Sequence, residues 1–314
     1  MARDVTTSAA LDVAEHQIAE PRDDGRPVSA LVETWQARAW RVALGLGSMG
    51  KPFRARHIPA FLPVLAREFL TGGRRVPERL LVMEDPWVFS GIARGVGTND
   101  LIAGYRRGFT VGCHVPPLKW WTYDPRAILL LEEAKVAKRF RSILRKSDLR
   151  VSFDTDFAAT MATCAAPREG QTSLTWITPQ IARLYGDLHA RGFAHSVETR
   201  DPGGTLVGGL FGVGIGRIFV VRSMFHHVPN ASKMALYTLH HHLAKWGFRA
   251  VDYQGINPMI SLMGYNEWPR SDYESLMRTY AQTADRIGRW SIEDDLETIA
   301  AGPPKRDITN AFSR

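Results

Sequence analysis

The segment FVVRSMFHHVPNASKMALYTL, residues 219–239, places polar side chains where a strand-like run meets a helix. The apolar run ends at Arg222 and Ser223, a short loop follows, and Asn230 stands where a helix N-cap is expected. A cation, a hydroxyl group and a helix start are thus close together in the sequence. We treat this junction as a candidate binding site, whose ligand the rest of the chain must identify.

Five histidines in or near this junction raise the question of a metal site. His240, His241 and His242 are consecutive on the predicted helix, so their side chains point about 100° apart and cannot converge on one ion. His226 and His227 in the preceding loop are the only neighbours that can add ligands. We expect no metal and no other cofactor, and the alternative role is a histidine of shifted pKa beside the site.

Glycines at positions 212, 214 and 216 resemble part of a dinucleotide-binding loop. That loop must be followed directly by a helix, whereas here the strand-like segment GRIFVVRSM follows. The glycines therefore predict a hairpin turn between two strands.

Basic residues crowd one short stretch before the middle of the chain. They are Lys135, Lys138, Arg139, Arg141, Arg145, Lys146 and Arg150. Such a run is either a solvated helix face or a surface that contacts nucleic-acid phosphates. The tryptophans Trp120, Trp121 and Trp176 have a similar pair of interpretations, as core residues or as stacking surfaces for a base.

The composition is that of a globular protein, with 314 residues, 45% hydrophobic content and a net charge of +8. The positive charge favours an acidic or nucleic-acid partner. Cys113 and Cys164 lie far apart and form no metal-binding or disulfide pattern, which favours a reducing compartment, the cytoplasm. No signal peptide or transmembrane run is evident, so we expect no membrane association, and we expect a monomer.

The predicted elements alternate between helices and strands. Thr178-Pro179 starts a helix that Gly192 ends, strands follow at 194–200, 205–213 and 216–224, and the helix from Asn230 ends at Gly247. RAVDYQG is another strand, and a capping box at residues 271–274 starts a further helix. The fold class is α+β, a mixed sheet with helices on its faces. The expected domains are a tail at 1–27, a small domain at 28–124, the main domain at 125–290 and a tail at 291–314.

An ordered set of segments resembles one family, the leucyl/phenylalanyl-tRNA–protein transferases. The segments are YRRGF (105–109), WWTYDPR (120–126), TWIT (175–178), GFAHSVE (192–198), LVGGLFGVGIGRIF (206–219), SMF (223–225), NASKMAL (230–236) and DYQ (252–254). They keep the family's order and approximate spacing from about residue 101 to residue 280. The resemblance implies a GNAT-like domain that accepts an aminoacylated tRNA end in place of acetyl-CoA.

In such a domain two neighbouring strands diverge and the acyl donor lies in the gap. Here these would be GRIFVVRSM and RAVDYQG, joined by the Asn230 helix, whose N-terminal amides can bind the donor. The resemblance implies that Gln254 is the relay residue that positions the attacking amine, with Asp252 as its supporting acid and Arg222 beside them. An alternative for Asp252 is an acid in a strand-end turn.

The resemblance also assigns binding residues. The expected substrate-binding residues are Trp120, Trp121, Trp176, Ser223, Met224, Phe225, Asn230, Ser232 and Lys233. The expected tRNA-binding residues are Lys135, Lys138, Arg139 and Arg145. The partners would be an aminoacyl-tRNA and an amine acceptor, which is a protein or peptide N-terminus or a small amine.

Three departures from the family pattern predict altered specificity. Arg222 stands where the family has a glutamate, residues 110–112 (TVG) replace Phe-Pro-Trp, and residues 257–259 (NPM) replace a segment with a histidine. Arg222 either faces the acceptor or pairs with an acid such as Glu198. Two other functions stay open: a CoA-dependent GNAT N-acyltransferase, and a tRNA-binding descendant without catalysis.

Overall fold

The computed structural model describes residues 35–49, 58–73, 75–77, 80–84, 87–166 and 175–304. The tail predicted at 1–27 lies outside these ranges. Within them the helices are Trp35–Met49 (α1), Ile58–Leu70 (α2), Thr98–Arg106 (α3), Lys138–Lys146 (α4), Phe157–Ala165 (α5), Pro179–Ala190 (α6), Ala231–Lys245 (α7), Pro258–Ser261 (α8), Arg270–Tyr280 (α9) and Leu296–Ala301 (α10).

The strands form two sheets. They are Val82–Glu84 (β1), Trp87–Ile92 (β2), Thr110–Gly112 (β3), Lys119–Tyr123 (β4), Arg126–Leu130 (β5), Arg150–Phe153 (β6), Ala194–Arg200 (β7), Leu206–Ile215 (β8), Ile218–His226 (β9), Ala250–Gln254 (β10) and Asn266–Trp268 (β11). The smaller sheet has the order β1-β2-β4-β3, and the larger has the order β11-β5-β10-β9-β8-β7-β6.

The larger sheet is mixed, which confirms the predicted α+β class. Its neighbouring strands are antiparallel except for β9 and β10, which pair in parallel. A parallel pair requires a crossover connection, and α7 supplies it between these two strands. The smaller sheet is antiparallel throughout.

Local signals explain why α6 forms where the sequence predicts it. The Thr178 hydroxyl accepts a hydrogen bond from the amide of Ile181, and Pro179 occupies the first turn. Gly192 follows the helix with φ of 73°, a conformation that favours glycine. The hairpin is also confirmed, because β8 and β9 are joined at Gly216, where φ is 55°. The glycines at 212 and 214 lie within β8 and form no phosphate-binding loop.

Of two predicted helix caps, Asn230 is confirmed at the N-cap position and the capping box at 271–274 is wrong. Asn230 makes no side-chain capping bond and has a left-handed backbone with φ of 70°, although α7 does begin at the next residue. The helix expected from a capping box at 271–274 begins at Arg270, and Pro269 precedes it without a side-chain cap. Ser271 bonds to the neighbouring Asp272 carboxylate. A capping motif in the sequence does not fix which backbone amide the hydroxyl finds.

Two clusters of buried apolar residues cover the two faces of the larger sheet. One joins that sheet to the smaller sheet and to α5 and α6, and it includes Val111 and Val220. The other packs α4, α7 and α10 on the opposite face and includes Phe140 and Val221. The consecutive residues Val220 and Val221 thus point to opposite faces, as strand geometry requires.

The chain beyond position 290, which was expected to be a tail, packs against α7. Glu293 donates its backbone amide to the His242 ring, and Asp294 bonds to His241 and Lys245. Ile299 in α10 is fully buried. Residues of the segment 291–304 therefore pack as part of the main fold. Among the described helices, none has the length and apolar character needed to cross a membrane.

Candidate active site

The strands β9 and β10 diverge at the level of the candidate site. Their parallel pairing covers Ile218 with Ala250 and ends at Val220 with Asp252, while β9 continues to His226. A gap therefore opens between the two strands just beyond Val220. This confirms that GRIFVVRSM and RAVDYQG are neighbouring strands that separate, with α7 as their connection.

Two β-bulges flank this gap. On β9 the register shifts so that Phe211 faces Ser223 and Gly212 faces Val221, which leaves Arg222 as the extra residue. On β10 a second shift leaves Tyr253 extra. Bulges re-aim side chains. Arg222 contacts residues on the face of the larger sheet that packs against the smaller sheet. Arg222 and Ser223 therefore both point to that face.

Gln254 follows the second bulge in an unusual backbone conformation. Its φ is 73°, which is uncommon for a residue other than glycine and marks a strained position. Its backbone amide donates to Asp252 Oδ1 at 2.8 Å, and its side-chain Nε2 donates to the Val221 carbonyl at 2.8 Å. These two bonds hold the amide group at the mouth of the gap.

Arg222 and Gln254 contact each other across the gap. Arg222 Nη1 donates to Gln254 Oε1 at 2.5 Å, and Nη2 donates to the Val111 carbonyl in β3 at 3.0 Å. The guanidinium carbon lies 4.5 Å from the centre of the Trp176 ring. Burial acts to lower the pKa of Arg222, but the phenol oxygens of Tyr105 and its neighbours raise it overall, so the guanidinium is charged.

Asp252 belongs to a buried ion pair. Arg126 places Nε and Nη2 each 2.8 Å from Asp252 Oδ2, and the Tyr273 hydroxyl donates to the same oxygen at 3.1 Å. Arg126 also donates to the Gly108 carbonyl and the Thr122 hydroxyl. Because the Asp252 carboxylate bonds to Gln254 through its backbone amide, its effect on Gln254 is to fix the backbone conformation.

The predicted substrate-binding residues divide by their accessibility. Trp120 is fully buried, with its ring against Gly104, which favours the alternative interpretation of this tryptophan as a core residue. Trp176 lies beside Arg222, whereas the half-buried Trp121 packs its ring edge-on against Phe89 in the smaller sheet.

The remaining predicted binding residues border the gap or the start of α7. Ser223 is half-buried and hydrogen-bonded to Cys164, and burial raises the pKa of that thiol to about 12. Met224 and Phe225 are buried, and the Tyr253 hydroxyl contacts the Met224 sulfur at 2.8 Å. Near the start of α7, Ser232 is buried beside His226, while Lys233 and Asn230 are half-buried.

The basic run forms an amphipathic helix. Phe140 and Leu144 of α4 are buried, and the Phe140 ring packs against Tyr237 of α7 at 4.7 Å. The predicted tRNA-binding residues are all exposed: Lys135, Lys138, Arg139 and Arg145. None of them has an ion pair with a described residue, so their charges face solvent beside α7.

The alternative partner for Arg222 is excluded by the contacts of Glu198. This buried carboxylate accepts hydrogen bonds from Ser152, Thr155 and Ser196 and from the Asp156 amide. It therefore has its own set of donors within the sheet. The five histidines do not converge, and the described residues contain no cluster suited to a metal ion.

Sequence analysis missed several residues at the site. Arg126 is the last residue of the WWTYDPR motif, but no neighbouring residue indicated its pairing with Asp252, which is distant in the sequence. Tyr105 and Tyr185 share a hydrogen bond and face Arg222, yet each resembles an ordinary core residue of an amphipathic helix. The sequence also did not indicate that His195 and Asp154 form a buried, hydrogen-bonded pair.

The fold and the gap define an α+β protein with a cleft between two diverging parallel strands. A sequence model of the family "Leucyl/phenylalanyl-tRNA protein transferase" matches residues 128–278, which include Arg222, Asp252 and Gln254. The chain belongs to the leucyl/phenylalanyl-tRNA–protein transferase family, and with it to a class of aminoacyl-tRNA-dependent transferases.

Individual relatives support this membership. The leucyl/phenylalanyl-tRNA–protein transferase of Aromatoleum aromaticum is 37% identical over 230 residues, 73% of this chain and 96% of that protein. That of Azotobacter vinelandii is 41% identical over 194 residues, 60% of this chain and 84% of that protein. A solved GCN5-related N-acetyltransferase from Kribbella flavida aligns with 68% of this chain and 91% of its own chain at 11% sequence identity. The TM-score of this alignment is 0.29, which is too low to support a conclusion.

Proposed function

We propose that this protein transfers an amino acid from an aminoacyl-tRNA to an amine acceptor, with a specificity that differs from that of its leucyl/phenylalanyl relatives. The observation that carries the proposal is the gap between β9 and β10, where Arg222 and Gln254 meet in a chain of this family. We propose that it acts in the cytoplasm as a monomer, on a protein or peptide N-terminus or a small amine.

The donor would approach from the face that carries α4 and α7. The exposed cations Lys135, Lys138, Arg139 and Arg145 suit contacts with tRNA phosphates, and the N-terminus of α7 offers free backbone amides on the same face of the sheet. The aminoacyl ester would then lie between the two strands, with its amino acid reaching the face of the smaller sheet. Met224 and Phe225 border this path, and Trp176 offers an aromatic wall.

The reaction needs little acid help because an aminoacyl ester is already activated. The acceptor nitrogen attacks the ester carbonyl carbon, the bond from that carbon to the ribose oxygen breaks, and an amide forms. One proton leaves the attacking amine and one reaches the ribose oxygen. In this proposal Gln254 positions the amine, and Asp252 keeps Gln254 in its strained conformation.

Altered specificity follows from the residues at the mouth of the gap. Arg222 places a positive charge where the amine must arrive, and the adjoining strand β3 has the small residues of the TVG segment. A cation repels the positively charged N-terminal side chains that an acid would attract. The amino acid transferred and the acceptor should therefore differ from those of the relatives.

One contact favours a second function. Gln254 Oε1 already accepts a hydrogen bond from Arg222, and an oxygen so engaged is a poorer acceptor for an incoming amine. The protein would then bind tRNA without transfer. The CoA-dependent alternative has no such contact in its favour.

The test is incubation of the full chain with a mixed pool of labelled aminoacyl-tRNAs and a library of peptides. Transfer yields a label that survives base hydrolysis of esters, and mass spectrometry then identifies the product. Gln254→Ala should slow transfer by one to three orders of magnitude, about 1.4–4 kcal/mol of barrier, while tRNA binding stays nearly unchanged. Gln180→Ala, an exposed glutamine on α6, is the matched control. Binding of tRNA without any base-stable product would favour the second function.

A further inference from the structure

Arg222 is a charged group without a countercharge. Its described hydrogen bonds go to three neutral groups, the side-chain oxygen of Gln254, the carbonyl of Val111 and the hydroxyl of Tyr185, and its guanidinium lies over the rings of Trp176 and Tyr185. Its Nε is inaccessible to solvent and has no hydrogen-bond partner in the described part of the chain. No carboxylate within that part forms an ion pair with it.

Other arginines of the same fold show the usual solution. Arg126 is paired with Asp252 in the core, and Arg106 is paired with Asp285 nearer the surface. A buried or half-buried cation is costly unless an anion or enough acceptors compensate it. The acid that the sequence suggested as a partner, Glu198, accepts hydrogen bonds from other donors. An unpaired cation at a bulge beside a gap therefore suggests that a ligand brings the anion.

The face on which Arg222 lies separates it from the expected donor path. Val111, Tyr185 and Trp176 belong to the cluster that joins the larger sheet to the smaller one. The exposed basic helix α4 and the start of α7 belong to the opposite face. If the tRNA approaches along α4 and α7, its ester crosses the gap, and the attacking amine must come from the side of Arg222.

We infer that Arg222 binds a carboxylate carried by the acceptor, so that the preferred acceptor is a compound with an amine and a carboxylate a few bonds apart. This inference rests on the proposed function. Planar guanidinium groups bind carboxylates through paired hydrogen bonds, and the surrounding rings exclude water that would weaken the attraction. The carboxylate is either the side chain of an N-terminal Asp or Glu in a peptide or the α-carboxylate of a free amino acid.

The experiment compares three peptides that differ only in their N-terminal residue, Glu, Gln or Lys, together with free glutamate and glutamine as small acceptors. Each is tested with the full chain and the aminoacyl-tRNA that the pool experiment identifies. We expect kcat/KM for the Glu peptide to exceed that for the Lys peptide by roughly tenfold or more. A preference for both free amino acids over all peptides would identify the α-carboxylate as the group bound.

Variants then assign the preference to Arg222. Arg222→Gln should bring the ratio of the Glu to the Lys peptide towards one, Arg222→Glu should invert it, and Arg222→Lys should keep its direction. The ratio is taken within each variant, so any shared loss from a displaced Gln254 cancels. Arg183→Gln, an exposed arginine on α6, is the matched control and should leave the ratio as in the wild type.

The outcomes separate this inference from the proposed function. If no acceptor takes up label, the transferase proposal fails and the inference fails with it. If the neutral peptide is labelled but the charged peptides react equally, transfer stands and the acceptor inference is overturned. A third outcome places the carboxylate on the donor. In that case the peptides react equally, the wild type selectively discharges Asp-tRNA or Glu-tRNA, and Arg222→Gln abolishes this selectivity. This outcome also overturns the acceptor inference. The wild-type series alone decides the matter should a variant fail to fold.

Discussion

Replacement of Asp252 by asparagine tests whether this residue is chiefly a structural anion. The side chain of Asp252 is fully buried, and the side chain of Arg126 is 1% exposed. Asparagine keeps the size of the side chain and its acceptor for the Gln254 amide but removes the charge, so Arg126 becomes a buried cation without an anionic partner, held only by the neutral oxygens of Gly108 and Thr122. Breaking a buried pair in this way costs about 3–5 kcal/mol of unfolding free energy.

The loss is measured by urea unfolding at pH 7, followed by tryptophan fluorescence. Glu132→Gln is the control, because its pair with Arg249 lies at the surface and should change the unfolding free energy by about 1 kcal/mol or less. The double variant Asp252→Asn with Arg126→Met should lose less than the two single variants together, by at least about 1 kcal/mol, since the unpaired charge is gone.

Catalysis offers a second measurement on the same variant. If Asp252 only fixes the Gln254 backbone, the side-chain oxygen of the introduced asparagine can still accept that bond, and transfer per folded molecule should fall by less than about tenfold. An unfolding free energy within about 1 kcal/mol of the wild type would refute the ion-pair argument. A much larger loss of transfer in the folded variant would instead restore Asp252 to a direct role in the relay.

Three further predictions concern other parts of the chain. Replacing Lys138, Arg139 and Arg145 together with Gln should weaken tRNA binding and reduce the salt slope by up to about three, whereas an unchanged slope in filter binding would leave the run as a solvated face. Burial lowers the pKa of His240 to about 3, so only the unfolded chain binds this proton between pH 6.5 and 3. Stability should thus fall as pH drops below 6.5, and His240→Phe should reduce the slope of unfolding free energy at pH 5 by about 1.4 kcal/mol per pH unit; equal slopes would contradict this. Gly208→Ala would place a Cβ 2.4 Å from the first side chain of α7 and should destabilise the fold by about 1–3 kcal/mol in the same urea assay, with wild-type stability as the contrary result.

Much of the larger sheet was predictable because its signals are local. A cap and proline at residues 178–179, a glycine at 192 and alternating apolar residues each depend on a few neighbouring positions. These local signals predicted the order of the strands between residues 194 and 226, of the helix that follows them and of the strand β10. The structure confirms this order. The smaller sheet has short strands between irregular segments, and its pairing could not be predicted from periodicity.

The geometry of the site was less predictable, because it depends on contacts distant in sequence. Arg222 and Gln254 are 32 positions apart, and a bulge is defined only by the register of the strand opposite. The full burial of Trp120 could not be predicted for a similar reason. Its burial depends on Gly104, whose lack of a side chain leaves room for the ring. The sequence around a tryptophan does not indicate whether such a glycine lies opposite it in the fold.

Two departures from the family pattern meet at one place in the structure, which argues that they are connected. The carbonyl of Val111 accepts a hydrogen bond from Arg222, so the strand with the TVG sequence lies directly against the guanidinium. A Cβ at Gly112 would lie in van der Waals contact with Trp121 Cδ1, at 3.4 Å, so any side chain at this position would border that ring. Small residues in β3 and a long cation on β9 thus fit the same space. Glutamate at position 222 alone would therefore leave the wall formed by β3 as it is, so a test of specificity at the gap must vary both the charge at position 222 and the shape of β3.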